Sequence, residues 1–478
     1  MKAIRLLLIL AVLVSVVASF GLAQKHPREL AEPAPLAFKP VKPVEFTLAN
    51  GITVFFLEDR ELPLVTINGF LRGGSLYEPQ EKAGLAGLVG TVLRSGGTAL
   101  MNGDAMDAEL EFLAATVETG GGTEFMTVST NCLKKDLTRV TEILASVLRS
   151  PAFAQEKIDL AKNQMKEGIR RRWDQPAQGA GMLFAEQVYG ETAYGRRVTY
   201  KTLNAITRDN LIAFHKKHYV PGNLFLAVSG DLSKEEANAL LTKAFDGWKG
   251  EKIDLPDVPS LTEKSDGTVY YAYKETPQAN VVLGHLGVRR NNPDEITLEV
   301  MNDIFGGGGF TARLMKEIRS NRGLTYGIYG GVFEGKDRGV FRIASQLKAD
   351  KSVEAVALVK EMIKDLQTNP VTEEELALSK KSLANSFVFR FDAKERIPGM
   401  YLQMKLEGYP VDYYDTYLER LKKVTREDIL AAAKKYMDLD KMIVVVVGDE
   451  KKFDKPLTTL GAVKAIDYQK VAEADRAE

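Results

Sequence analysis

Cysteine is almost absent from this chain of 478 residues, where Cys132 stands alone. A single thiol excludes an intrachain disulfide even in an oxidising compartment, and a lone cysteine ordinarily just packs. Histidine is scarce too, with only four. His26 lies near the N-terminus, His285 falls in an apolar stretch, and His215 and His218 sit near the end of a helical pattern. Without an acidic or cysteine ligand close by, that pair reads as helix-end packing rather than a metal site. An excess of one charge is also missing. The 64 basic residues meet 64 acidic ones, which argues against nucleic acid as a partner. No G-x-S-x-G elbow occurs, and no Gly-Lys-Ser/Thr follows the longest glycine run, so a nucleophile elbow of that kind has no support and the run is not a phosphate loop.

Beyond the N-terminus every apolar run is too short or too charged to span a bilayer. At the N-terminus itself, Lys2 and Arg5 precede an uncharged run over residues 6–20, followed by Gly21-Leu22-Ala23. A charged start, an apolar middle and small residues predict a signal peptide over residues 1–23, cut after Ala23. An uncleaved anchor is the alternative, but the run falls short of the ~20 residues a span needs. No cysteine follows it, so lipid attachment is not expected. The expectation is an exported, periplasmic chain with no membrane span after cleavage. Its 45% hydrophobic content is enough for two cores, each of roughly 150–200 residues.

The chain repeats itself. Leu203 to Leu211 is echoed by Leu421 to Ile429, and each stretch leads to an apolar run closing in Gly-Asp, at Gly230-Asp231 and Gly448-Asp449. The offset is 218 throughout, pairing Thr207 with Thr425, Asp174 with Asp392 and Glu156 with Glu374. A tandem duplication is the reading. Each half runs from strands through helices to a closing strand, which predicts an α+β fold of two homologous domains, each a mostly antiparallel sheet with helices on one face. The first half is expected to open with a strand pair, residues 45–57 and 64–71, joined by the polar turn Asp59-Arg60-Glu61. Expected boundaries are an N-terminal extension 24–45, a first domain 46–255, a linker 256–268, a second domain 269–460 and a C-terminal tail 461–478.

Residues 84–98 have the cadence of a metallopeptidase helix without its donors. The segment resembles the G-x-A-H-x-x-E-H stretch of the pitrilysin/insulinase family of zinc peptidases, which includes processing proteases, and the likeness runs from about Phe46 to Phe453. In this register the histidine positions hold Gly87 and Thr91, and the catalytic glutamate position holds Gly90. The family's distal glutamate falls on Gly168, with Glu167 one residue early and turned by about 100° on a helix. Zinc needs imidazole, thiolate or carboxylate, and activation of its water needs a base. The resemblance therefore implies a chain that binds no zinc, with zinc expected in a partner subunit bearing H-x-x-E-H.

The second half keeps other family features. Gly306, Gly307, Gly308 and Gly309 lead into Phe310 and a predicted helix over residues 311–322, stopped by Gly323. The family's arginine and tyrosine, seven residues apart, fall on Arg319 and Tyr326. The resemblance implies that the tyrosine hydroxyl donates to an oxyanion and the arginine holds substrate carbonyls, in trans. Alternatively Arg319 pairs with surface acids and Tyr326 packs in a core. The glycine run is a mobile flap over a peptide channel by resemblance, or else a plain flexible connection. Residues 116–123, with Gly120, Gly121 and Gly122, occupy the place where relatives offer an edge strand to extended peptide, although three glycines weaken such an edge. The expected function is the non-catalytic subunit of an exported heterodimeric zinc metallopeptidase, inactive alone and forming half of a peptide chamber. A non-enzymatic, peptide-binding or structural homodimer is the alternative.

Overall fold

Two six-stranded sheets, each with the same internal order, organise the structure, a computed structural model that describes residues 38–478. The segment expected to be a signal peptide, and His26, lie outside the described residues. The first half supplies β1 (Val44–Thr47), β2 (Thr53–Glu58), β3 (Leu64–Arg72), β4 (Thr116–Gly121), β5 (Phe125–Leu133) and β6 (Leu224–Gly230). Its helices are α1 (Leu85–Ser95), α2 (Gly103–Phe112), α3 (Leu137–Arg149), α4 (Gln155–Arg172), α5 (Pro176–Tyr189), α6 (Tyr200–Asn204), α7 (Arg208–His218) and α8 (Lys234–Ala244). The second half supplies β7 (Val269–Tyr273), β8 (Gln278–Leu286), β9 (Val288–Arg289), β10 (Thr325–Val332), β11 (Glu334–Gly335), β12 (Val340–Lys348), β13 (Ile443–Gly448) and β14 (Val463–Ile466). Its helices are α9 (Glu295–Asn302), α10 (Ser352–Thr368), α11 (Glu373–Val388), α12 (Ile397–Leu406), α13 (Tyr413–Lys423), α14 (Arg426–Tyr436) and α15 (Tyr468–Arg476).

The sheet orders β1-β2-β6-β3-β5-β4 and β14-β7-β13-β8-β12-β10 superpose strand for strand from the second position onward. In each, the closing strand runs parallel to one neighbour and antiparallel to the other. The apolar runs of β6 and β13 are what such central strands need, being buried on both faces. The repeat extends to the helix caps. Thr207 and Thr425 each accept from the amide three residues on, and Asn210 and Asp428 reciprocate.

Three expectations are corrected. β2 and β3 do not pair, because β6 lies between them. The expected first strand is instead a hairpin, β1 against β2. Residues 461–478 are no tail: β14 extends the second sheet alongside β7, and α15 packs on it. The buried Asp475 of α15, 1% exposed, accepts from the Trp173 indole at 2.9 Å and from Arg197 at 3.0 Å. The halves also exchange a helix. α5 packs on β8 and β13 of the second sheet, burying Leu183, Phe184 and Val188 among Val282, Val445 and Val447. Its counterpart α12, at the same offset, packs on β2 and β6 of the first. Each sheet thus carries its own helices on one face and its neighbour's on the other, and Pro40–Glu478 forms one unit. Arg290 clamps the halves further, bidentate to Glu124 at 2.9 and 3.1 Å.

Candidate functional site

Helix α1 is held at its start by Glu78, a buried carboxylate accepting from the Gly84 and Ala86 amides at 2.9 Å each. Burial pushes its carboxyl upward, while those amides and Arg196, 3.8 Å away, oppose the shift. The sequence carried no signal for this residue beyond an acid ahead of a helix.

α1 lies on β4 and α4, so Gly87, Thr91 and Gly168 come from two adjoining helices as the family register requires. None brings a donor that zinc would take. The Thr91 hydroxyl donates back to the Gly87 carbonyl at 3.0 Å. Glu167 cannot substitute for Gly168, because it pairs with Arg170 and Arg171. Those partners, Arg170 first, hold its carboxyl down to about 2. These residues do not fit a zinc ion.

The base position has changed more deeply. An ideal Cβ on Gly90 would overlap the Gly121 amide nitrogen and the Gly120 carbonyl carbon, well inside 3.0 Å. A Cβ on Gly121 would in turn overlap the carbonyl of Ala86. The Thr119 hydroxyl donates to the Gly90 carbonyl at 2.7 Å and fixes the contact. Helix and strand therefore meet backbone to backbone, and space for any side chain at position 90 is gone. By contrast, a Cβ on Gly87 would meet only Met165, at 3.9 Å, and one on Gly168 would meet nothing within 4 Å. The metal-ligand positions have lost their donors but kept their room; the base position has lost both.

β4 does form the edge of its sheet. The Gly122 amide bonds Phe125 across the hairpin at 2.9 Å, so by antiparallel alternation Val117, Thr119 and Gly121 turn their backbone groups away from β5. Gly120 and Gly121 serve the close approach of α1, which obstructs that end of the strand.

The second half repeats this packing. Gly306 and Gly307 belong to a π-helical continuation of α9 over Asp303–Gly307. A Cβ on the buried Gly306 would overlap the Gly330 carbonyl of β10. Gly306 is thus a packing residue and not part of a flap. Gly308 and the left-handed Gly309 (φ 62°) turn the chain to Phe310, which is 65% exposed. Arg319 lies in a further π-helical segment, Met315–Asn321, with its guanidinium over the Phe310 ring at 4.6 Å. Among the described residues no carboxylate pairs with Arg319. Gly323 (φ 61°) stops the segment, its amide bonding the Arg319 carbonyl at 2.9 Å.

Tyr326 sits on a one-residue bulge in β10, between Thr325 opposite Leu347 and Ile328 opposite Ser345. The Thr325 hydroxyl reaches the Gly327 and Gln346 carbonyls at 3.0 and 2.7 Å, and the Ser345 hydroxyl reaches the Gly327 carbonyl at 2.9 Å. The bulge, stapled in this way, aims the tyrosine outward, 87% exposed. Neither Arg319 in an ion pair nor Tyr326 in a core describes this corner.

The remaining histidines are packed singly. The Nε2 of His215 lies 2.9 Å from the Leu148 carbonyl, His218 stacks on Phe214, and the Nε2 of His285 accepts from the Asp438 amide at 2.9 Å. Burial lowers the pKa of all three. Burial likewise pushes the Cys132 thiol up to about 11, which leaves it no thiolate character.

Comparison with known proteins agrees with this geometry. The family model described as insulinase (peptidase family M16) matches residues 54–202, and the peptidase M16 inactive domain matches residues 205–383. An uncharacterized zinc protease of Streptomyces coelicolor is 25% identical over 348 residues, covering 70% of this chain and 76% of that one. A protein of Helicobacter pylori named as a non-peptidase homolog is 26% identical over 409 residues, covering 84% and 93%. Among solved structures, a peptidase M16 inactive domain of Pseudomonas fluorescens superposes with a TM-score of 0.79 at 29% identity, over 86% of this chain and 98% of that one. The Escherichia coli periplasmic protease PqqL shares the fold, with a TM-score of 0.73 at 14% identity over 90% and 48%. The two family models adjoin and span most of the chain, whose emptied helix and duplicated sheets match them in position: this protein belongs to the M16 family of insulinase-like peptidases, and it lacks the residues that hold the metal and the base there.

Proposed function

We propose that this chain is the non-catalytic subunit of an exported, heterodimeric M16 metallopeptidase. A homologous partner bearing H-x-x-E-H supplies zinc and base, and the two chains together enclose an extended peptide. The observation that carries the reading is a contrast. The metal helix is stripped of donors and packed shut at Gly90, while Tyr326 is exposed and Arg319 half-buried, both free of acidic partners and held in place by a stapled bulge and a ring stack. A surface tyrosine with no packing role is what a contact made in trans requires. In this reading the Tyr326 hydroxyl donates to the oxyanion that develops on the scissile carbonyl in the partner's site, and Arg319 fixes the register of the peptide by donating to its carbonyls. The N-terminal segment with Lys2, Arg5 and the apolar run after them supports export.

The test is to tag the chain in its native host, recover the complex and assay peptide cleavage. Arg319→Ala and Tyr326→Phe are expected to lower kcat/KM by about 10²–10³ each, the range for one lost oxyanion donor. Full activity in both variants would contradict the reading. The likeness to a non-peptidase homolog favours one alternative, a homodimer that binds peptides or builds structure without cleaving them. Recovery of a homodimer with no cleavage would select it.

A further inference from the structure

Beside Tyr326 the second sheet opens into a pocket of about 430 Å³ between α5 and strands β8, β10 and β12. Its walls include Ala177 and Ala180 of α5, and its polar lining holds Gln278, Asn280 and Gln346. The one charged residue lining it is Arg342, on β12. Arg342 is paired across the sheet with Gly331 on one side and Gly284 on the other, so neither neighbouring strand offers it a side chain. Its guanidinium runs alongside α5, with Nη2 3.6 Å from where a Cβ on Gly181 would lie. It is solvent-accessible, and among the described residues no carboxylate pairs with it. Its pKa is lowered by burial alone, with no acid acting on it. Several other arginines of the fold are paired. Arg290, Arg313 and Arg420 all hold carboxylates at hydrogen-bond distance.

We propose that Arg342, with the side-chain amide of Gln346 on the same face of β12, forms a subsite that takes a carboxylate of the bound peptide. A guanidinium presents two parallel N–H donors that match the two oxygens of a carboxylate, and the Gln346 amide adds a donor without competing charge. The inference rests on the reading that the chain binds peptide beside Tyr326, and it adds the class of residue favoured there. The carboxylate comes either from the peptide's C-terminus or from an aspartate or glutamate side chain, and both present the same chemistry.

The test uses the full chain and a short labelled peptide of Ser, Ala and Val in three forms: C-terminal carboxylate, C-terminal amide, and amide with one internal glutamate. Binding is followed by fluorescence anisotropy. The wild-type chain is expected to bind at least one carboxylate form about tenfold more tightly than the neutral amide, and the form preferred identifies the source. Arg342→Gln, a change at a solvent-accessible site with no partner to strand, is expected to erase that preference, with thermal unfolding as the check that the variant stays folded. A preference that survives Arg342→Gln, or neutral binding with no preference in the wild type, would overturn the subsite and leave peptide binding standing. Failure of every form to bind would overturn the peptide-binding reading and the subsite with it.

Discussion

Replacing Gly90 with alanine adds one methyl group at the point where α1 meets β4. In an unconstrained helix interior that change is stabilising by about 1 kcal/mol, because alanine loses less backbone entropy than glycine. Here the methyl would overlap backbone atoms of Gly120 and Gly121, which cannot rotate away as a side chain can. Overpacking of this kind costs about 1–3 kcal/mol. Displacement of β4 also breaks the Thr119 hydrogen bond to the Gly90 carbonyl, worth about 1 kcal/mol more. The net expectation is a loss of about 2 kcal/mol, or roughly 4–8 °C in Tm for domains of this size. Gly168→Ala is the internal control. It sits in α4 with open space around it and should gain about 0.5–1 kcal/mol. Gly87→Ala should follow Gly168, since only Met165 lies near. Thermal unfolding followed by circular dichroism reads all three. Gly90→Ala raising Tm as much as Gly168→Ala would refute the claim that the base position is closed. The same geometry predicts that Gly87→His, Thr91→His and Gly168→Glu are tolerated together, whereas adding Gly90→Glu unfolds the first sheet's edge.

Three further outcomes follow from the structure. Arg319→Ala and Tyr326→Phe should leave Tm within about 1 °C of wild type, because neither side chain holds a partner whose loss would be felt in the fold, and calorimetry checks this. Asp475→Ala should cost about 1–3 kcal/mol, since it leaves the buried Trp173 N–H without its acceptor and Arg197 with Glu186 alone, and its denaturant midpoint measures the loss. Burial, helped by Lys217, holds the His218 pKa down at about 4, so the folded state favours the neutral ring. The unfolded chain therefore binds the extra proton between about pH 6.5 and 4, and stability falls as pH drops through that window, by about 3 kcal/mol from this residue. His218→Gln should flatten that part of the urea-midpoint profile; an unchanged slope would exclude His218 as its source.

Much of the fold was legible because duplication leaves a countable mark. The offset of 218 between Thr207 and Thr425 reappears as identical caps, and the runs closing at Gly230 and Gly448 became matching central strands. Partners were less legible than elements. Periodicity says that a strand has a buried face but not which strand lies beside it, so the insertion of β6 between β2 and β3 was out of reach. The exchange of α5 and α12 was hidden for the same reason, since an apolar helix face does not name the sheet it covers. Residues 461–478 read as a tail because they are short and polar, yet Asp475 is fixed by Trp173 and Arg197, 302 and 278 residues away in sequence. At the site, the missing donors at Gly87, Gly90, Thr91 and Gly168 could be read directly from the sequence. The closure at Gly90 could not, because it depends on Gly121 reaching the same point in space. Arg342 carried no signal at all. Its importance comes from its place in the pocket beside Tyr326 and from the lack of a paired acid among the described residues.

The central claim is that this chain lends contacts to a site whose metal belongs to another chain. Metal analysis of the complex captured through this chain, and then of the chain purified alone, tests it most directly. The account predicts one zinc per pair of chains in the complex, none retained by this chain on its own, and peptide cleavage that a chelator abolishes. One zinc held per molecule by this chain alone would contradict it.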